Sequence, residues 1–174
     1  VLTICADYRR TTVWAEHRNA TPGYANFLSF MNAATDGLLY TQTLCNLAEA
    51  EGLGTCFLGT TLFLPQTIIE VLQLPRLVMP VATITLGWPD ENPMQTDRLP
   101  LRAMVHQERF EDYTVERIDD FYRAKEALEV NKNFVEINRK ETLAQVFTDI
   151  KYTKKDNEAM SKSLLEALHQ QGFL

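Results

Sequence analysis

The stretch that decides the fold is Gly52-Leu-Gly-Thr-Cys-Phe-Leu-Gly-Thr60. Its first glycine suits the position just after a helix, where a left-handed backbone conformation carries no Cβ penalty. Residues 55–58 are a short apolar run typical of a strand, and Gly59-Thr60 predicts the turn that follows it. The stretch therefore predicts the end of a helix, a strand and a glycine turn in immediate succession.

A second segment, Leu86-Gly-Trp-Pro-Asp-Glu-Asn-Pro-Met-Gln-Thr-Asp-Arg-Leu-Pro100, follows a run of apolar and β-branched residues at 81–86. That run predicts a central strand. The prolines after it predict a loop, and this loop presents Arg98. Together the two segments offer a backbone-lined surface and a cation, which a phosphorylated planar cofactor needs.

The rest of the chain alternates predicted helices and strands, which indicates an α/β domain. Val1–Ala6 predicts a buried strand, and residues 9–31 predict an irregular or partly helical segment. Asn32 is the predicted N-cap of a helix that runs to about residue 51. Pro65 suits the first turn of another helix. Beyond Met104 the pattern is mainly helical, with the best candidates at 115–129, 139–150 and 156–171.

The composition is that of a globular domain with an acidic balance. The chain has 174 residues, a net charge of −6 and a pI near 5.1. Such a charge argues against nucleic acid or an anionic membrane as the main partner. No apolar run reaches the roughly 20 residues that a membrane helix requires. We therefore expect one domain that binds neither nucleic acid nor membrane.

The reactive side chains form no recognisable catalytic or metal-binding motif. Cys5, Cys45 and Cys56 are widely spaced among apolar residues, so we expect buried, reduced thiols in a cytoplasmic protein. The three histidines are isolated, and an ordinary surface or packed role is favoured over catalysis for each. Because no serine-hydrolase or zinc-protease motif occurs, we predict no catalytic side chain and no metal ligand.

Residues 48–60 and 80–100 resemble the nitroreductase superfamily, in particular its NADPH-linked, FMN-dependent nitroreductase and flavin reductase branch. The shared pattern is a long helix, G-L-G, a strand, a glycine turn, a helix, a second strand, L-G-W-P and an arginine before L-P. Val105–Glu108 also resembles that branch. The similarity extends from Val1 to about Asp120 and returns near the end, at residues 168–173.

This resemblance implies an α+β fold with a central mixed sheet wrapped by helices, and a homodimer with FMN at its interface. Residues 1–174 would be the C-terminal portion of a single nitroreductase-like domain, with 115–174 a mainly helical extension. The implied activity is an NAD(P)H oxidoreductase that reduces nitroaromatics, quinones or free flavin by two-electron hydride transfer. The sequence does not distinguish NADH from NADPH or identify the physiological acceptor.

The same resemblance implies which residues bind the cofactor. The backbone of four consecutive residues would line the flavin ring: Phe57, Leu58, Gly59 and Thr60. Arg98 corresponds to an arginine that binds the FMN phosphate, and Thr96 stands where relatives often carry a lysine. Relatives use basic residues after position 130 for the NADPH phosphate, and the candidates here are Lys132, Arg139 and Lys140.

One part of the family pattern has no counterpart. Relatives carry an arginine- and serine-rich phosphate cluster near the N-terminus, whereas Arg9-Arg10-Thr11-Thr12 follows a later strand. Because the chain also opens on an apolar strand without methionine, we expect that an N-terminal part is missing. Roughly 60–80 further residues upstream, as a missing helix pair plus a strand would need, would favour the enzyme. The alternative is a truncated or degenerate, non-catalytic relative that retains the dimer scaffold.

Overall fold

The computed structural model describes residues 1–174 and divides them into two compact units. The first, here the sheet unit, comprises Val1–Glu91 and Asn157–Leu174. The second, here the helical unit, comprises Asn92–Asp156. No helix is both long enough and apolar enough to cross a membrane.

The sheet unit is built from three strands and four helices. Its elements are β1 (Leu2–Asp7), α1 (Arg9–His17), α2 (Phe27–Ala50), β2 (Gly54–Leu58), α3 (Pro65–Val71), β3 (Val78–Gly87) and most of α7 (Lys154–Gln171). The strand order is β1-β3-β2, and both pairings are antiparallel. The prediction that the apolar run 81–86 forms a central strand is confirmed.

Helix α2 begins earlier than the sequence indicates, so the prediction of Asn32 as its N-cap is wrong. The cap is Asn26, whose side-chain oxygen accepts a hydrogen bond from the Ser29 amide at 2.9 Å. The side-chain amide of Asn26 also donates to the Gly23 carbonyl at 2.7 Å. At the other end, Gly52 has φ +83°, which confirms its place after the helix.

The core of the sheet unit lies between the sheet, α2 and the end of α7. Met79 and Phe173 are completely buried there, and the rings of Phe30 and Phe173 lie 5.5 Å apart. The backbone joins the same elements, because the Leu77 amide donates to the Gln171 carbonyl at 2.8 Å. The final helix therefore completes a core that the first 91 residues begin.

The helical unit contains a 3-10 turn, three α-helices and a π-helical segment. Their bounds are Leu101–Ala103, α4 (Val115–Glu126), α5 (Glu129–Ile137), α6 (Leu143–Gln145) and the π segment (Val146–Lys151). The predicted helix 115–129 thus ends early, and 139–150 becomes a loop, one α-helical turn and the π segment. A capping box between Thr142 and Gln145 fixes the start of α6.

Candidate functional site

The first candidate site residues lie at the end of β2, which is an edge strand of the sheet. Phe57 pairs with Ile84, and Leu58 pairs with Thr83. Phe57 and Leu58 are 44% and 39% exposed, and they point to opposite faces because side chains alternate along a strand. The prediction that Cys56 is buried is wrong, because its side chain is exposed near the end of this edge strand. The end of β2 therefore presents apolar surface on both faces.

The turn after β2 is fixed by its own hydrogen bonds. The buried Thr61 hydroxyl donates to the Leu58 carbonyl at 3.2 Å, and the Phe63 amide donates to the Thr60 carbonyl at 2.9 Å. No atom lies within 4 Å of where a Cβ on Gly59 would be, and Gly59 has no positive φ. Packing and backbone conformation therefore leave this glycine unexplained. Close approach of a ligand to its backbone would explain it.

The two segments that decided the prediction meet at a pair of glycines. Gly54 in β2 lies opposite Gly87 in β3. A Cβ on Gly54 would lie 3.5 Å from Pro89 Cβ and 3.6 Å from the Gly87 carbonyl oxygen. A Cβ on Gly52 would lie 3.9 Å from the Trp88 ring. These are ordinary contact distances, so the start of β2 and the end of β3 lie side by side without packing that would exclude a methyl group at Gly54 or Gly87.

The second pair of candidate residues, Thr96 and Arg98, lies in the helical unit and is joined by hydrogen bonds. Arg98 Nη1 donates to the Thr96 carbonyl at 3.3 Å, to the Thr96 hydroxyl, and to the Asp97 carbonyl at 3.0 Å. All of these bonds use one guanidinium nitrogen. The exposed side chain therefore keeps Nη2 and Nε available for an anion.

Asp97 fastens this loop to α4. Its carboxylate accepts a hydrogen bond from Lys125 Nζ at 2.7 Å, and the Lys125 and Asp97 side chains are 25% and 34% exposed. The hydrogen bond and charge of Lys125 hold the pKa of the Asp97 carboxyl below its ordinary value. The positions of Thr96 and Arg98 are thus tied to a helix through the residue between them.

The three basic residues considered for a nucleotide phosphate have different surroundings. Lys132 pairs with Glu129 at 2.6 Å, and Lys140 pairs with Asp149 at 2.9 Å. Arg139 is exposed and forms no ion pair. Since an anion would have to compete with a carboxylate at either lysine, Arg139 is the best placed of the three.

A cavity of about 760 Å³ within the helical unit was missed by the sequence analysis. Its walls come from the loop around Arg98, from α4, from α6 and from the π segment. The only local signal was the apolar pair Ile118 and Tyr122, which share one face of α4 at i and i+4.

No group of three or more His, Cys, Asp or Glu side chains in residues 1–174 is placed to hold a metal ion.

Comparison with known proteins gives consistent matches, although no protein-family model matches the chain. It is 32% identical over 111 residues to the FMN reductase [NAD(P)H] of Bacillus subtilis (strain 168). That alignment covers 63% of this chain and 45% of the relative. The chain thus spans about half the length of the curated relatives it matches.

Solved structures match almost the whole chain. A crystal structure from Bacteroides fragilis NCTC 9343, of a protein provisionally called an oxidoreductase, is 56% identical with a TM-score of 0.96. The match covers 99% of this chain and 70% of that one. NfrA1 nitroreductase from B. subtilis is 25% identical with a TM-score of 0.76, covering 98% and 68%. The fold of the chain is therefore that of these oxidoreductases.

Proposed function

We propose that this chain, which belongs to the nitroreductase superfamily, is part of an FMN-dependent NAD(P)H oxidoreductase that reduces nitroaromatics, quinones or free flavin. The similarity to an FMN reductase and to a nitroreductase carries this proposal. When bound, FMN would supply the redox chemistry by accepting a hydride from NAD(P)H and giving two electrons to the acceptor. The protein would supply binding, orientation and electrostatics.

In the sheet unit, the end of β2 fits one face of a planar cofactor. Phe57 and Leu58 provide apolar surface, and Gly59 leaves its backbone amide open to approach. Thr60 continues the same turn. We assign these four residues, 57–60, to the flavin ring, where a backbone N–H can donate to a ring acceptor without interference from a side chain.

In the helical unit, Arg98 fits a phosphate. Two of its guanidinium nitrogens have no protein partner, and its loop is held to α4 through Asp97 and Lys125. A planar guanidinium can bind phosphate oxygens in a bidentate manner. We assign Arg98 to the FMN phosphate, with the Thr96 hydroxyl as its neighbour.

The assignment of Arg98 is tested in the full-length protein by Arg98→Ala. Loss of a charge-assisted hydrogen bond should weaken FMN binding by roughly 10- to 100-fold, measured by titrating flavin fluorescence. Arg109→Ala is the matched control, because Arg109 is an exposed arginine of the same unit that forms no ion pair. Equal FMN affinity in both variants would remove Arg98 from the site. A full-length protein that takes up no FMN would instead favour the non-catalytic alternative.

The enzyme would act as a homodimer, and an apolar face of α2 supports this. Leu28, Leu39, Tyr40 and Leu47 are between 62% and 70% exposed. Four large apolar side chains on one helix are costly to leave in water. In the full-length protein, Leu39→Glu should shift the mass measured by light scattering from dimer to monomer. Leu165→Glu, at an exposed leucine of α7, should not.

The proposed compartment is the cytoplasm. The three cysteines are free thiols, and one of them is exposed. A reducing compartment preserves such thiols. We propose that the physiological acceptor is a compound that accepts two electrons from reduced flavin.

A further inference from the structure

The loop of the helical unit that carries Arg98 holds two opposite charges that do not pair with each other. Arg98 Nη1 donates to the Thr96 carbonyl and hydroxyl and to the Asp97 carbonyl, but to no carboxylate. The Asp97 carboxylate accepts its hydrogen bond from Lys125 Nζ instead, at 2.7 Å. The guanidinium is therefore kept free of its nearest carboxylate in the sequence.

Lys125 reaches Asp97 from a fixed position. It lies in the last turn of α4, and its carbonyl accepts a hydrogen bond from the Asn131 side-chain amide at 2.7 Å. Asn131 is buried in α5, where it is 7% exposed. A cation is also favoured near the C-terminus of a helix. The ammonium group thus starts from a backbone that is held between two helices.

The ion pair cancels a charge that would oppose an anion. The Lys125 hydrogen bond holds the pKa of the Asp97 carboxyl below its ordinary value, so this group is ionised at neutral pH. The charge of Arg98 lowers the same pKa further, so the guanidinium and the carboxylate are close enough to interact. An unpaired carboxylate at this place would compete with a phosphate for the guanidinium and would repel it.

Lys125 decides the sign of the charge around Arg98. Asp97 is negative, whereas Arg98 and Lys125 are positive, so the three side chains have an excess of one positive charge. Without Lys125 they would have no net charge. Asp119 and Glu126 line the neighbouring cavity from α4, but neither forms a hydrogen bond or an ion pair with Arg98.

We propose that Lys125 is a positioning residue for the FMN phosphate and acts on it through Asp97, by holding that carboxylate away from Arg98 and cancelling its charge. The inference rests on the proposed assignment of Arg98 to the phosphate. It makes Lys125 a determinant of selectivity between FMN and riboflavin. Riboflavin has the same ring system but no phosphate, so it does not respond to the charge at this loop.

Affinities of the full-length protein for FMN and for riboflavin, from fluorescence titration at low ionic strength, test the proposal. Lys125→Met should weaken FMN binding by roughly five- to tenfold, an effect that shrinks as salt is added, and should leave riboflavin binding unchanged. Arg123→Met is the matched control. It removes a positive charge from the same helix, where Arg123 is exposed and 3.8 Å from Asp120, and should change FMN affinity by less than about twofold. Equal losses in the two variants, or a loss of both flavins in Lys125→Met, would overturn the proposal.

A second substitution shows whether Lys125 acts through Asp97. The double variant Asp97→Asn with Lys125→Met should bind FMN within about twofold of the wild-type affinity, because no carboxylate remains to be neutralised. Asp97→Asn alone should bind FMN at least as tightly as the wild type. If Lys125 contacted the phosphate directly, or only fastened the loop, the double variant would stay as weak as Lys125→Met. That result would refute the role assigned to Lys125.

Arg98→Ala separates this role from the proposed function. If Arg98→Ala loses FMN affinity and Lys125→Met does not, the role of Lys125 is refuted and the phosphate assignment stands. If Arg98→Ala retains the wild-type affinity, the phosphate assignment is refuted, and the role of Lys125 is refuted with it.

Discussion

Gly59→Ala tests whether Gly59 is required for FMN binding rather than for the stability of the fold. The new Cβ would have no atom within 4 Å, and the backbone of Gly59 is not left-handed. The free energy of unfolding should therefore stay constant or rise by roughly 0.4–1 kcal/mol, since alanine restricts the unfolded chain more than glycine does. If the flavin ring packs on this backbone, however, a methyl group there occupies the space of the ring.

The expected result is a protein of unchanged or higher thermal stability whose FMN affinity falls by about tenfold or more, equivalent to about 1.4 kcal/mol. FMN affinity is measured by fluorescence titration of the full-length protein, and stability by its melting temperature without cofactor. Gly23→Ala is the matched control, because Gly23 also has open space around it and no positive φ. That variant should leave FMN affinity unchanged and should affect stability as Gly59→Ala does, with no loss and at most a small rise.

Gly172→Ala is the opposite control. Gly172 has φ +80°, and a Cβ there would lie 2.5 Å from Arg76 Nη2. The left-handed backbone should cost roughly 1–2 kcal/mol of stability, or about 2–8 °C in melting temperature for a chain of this size. Its FMN affinity should be that of the wild type. If Gly59→Ala bound FMN as tightly as the wild type did, the assignment of the β2 turn to the flavin ring would be refuted.

Three further measurements test other parts of the molecule. Arg139→Ala should raise KM for NADPH but not for NADH, whereas Lys132→Ala should change neither; equal KM values in both variants would exclude Arg139. Phe173→Ala should lower the free energy of unfolding by roughly 3–5 kcal/mol in chemical denaturation, because it empties a fully buried site; a loss below 1 kcal/mol would contradict the packing described. Because the pKa of Asp97 is lowered in the folded protein, its ion pair stabilises above the ordinary value of 3.8 and this stabilisation disappears as pH falls through the lower folded pKa. Lys125→Met should remove that part of the acid sensitivity, as followed by amide exchange in α4, and an unchanged pH profile would show that the pair contributes nothing.

The sequence predicted the elements whose signals are local. The run at 81–86 is apolar or β-branched at nearly every position, so a central strand was the natural inference, and the neighbouring strands on both sides bear it out. Gly52 marked the end of α2 correctly because its positive φ is a local requirement. The prediction of Asn32 as the N-cap was wrong because sequence alone does not show which of two nearby asparagines caps the helix. The hydrogen bond from the Ser29 amide identifies Asn26 as the cap.

The geometry of the candidate sites was less predictable because distant residues create it. The resemblance identified Arg98, but the attachment of its loop through Asp97 depends on Lys125, which is 28 residues away. Likewise, the ion pairs of Lys132 and Lys140 depend on the fold, and they leave Arg139 as the favoured candidate for the nucleotide phosphate. The cavity of the helical unit combines residues from 97 to 148, and no periodic pattern marks such a combination.

The place of Phe173 in the core has a consequence for the order in which the protein folds during synthesis. The helical unit, residues 92–156, is contiguous in the chain and leaves the ribosome before residues 157–174 do. The sheet unit needs both its first 91 residues and its last 18, so its core stays open until Phe173 has emerged. Until then Met79 and its apolar neighbours lack the Phe173 ring as a packing partner, so chaperone protection would matter most while the helical unit is being translated.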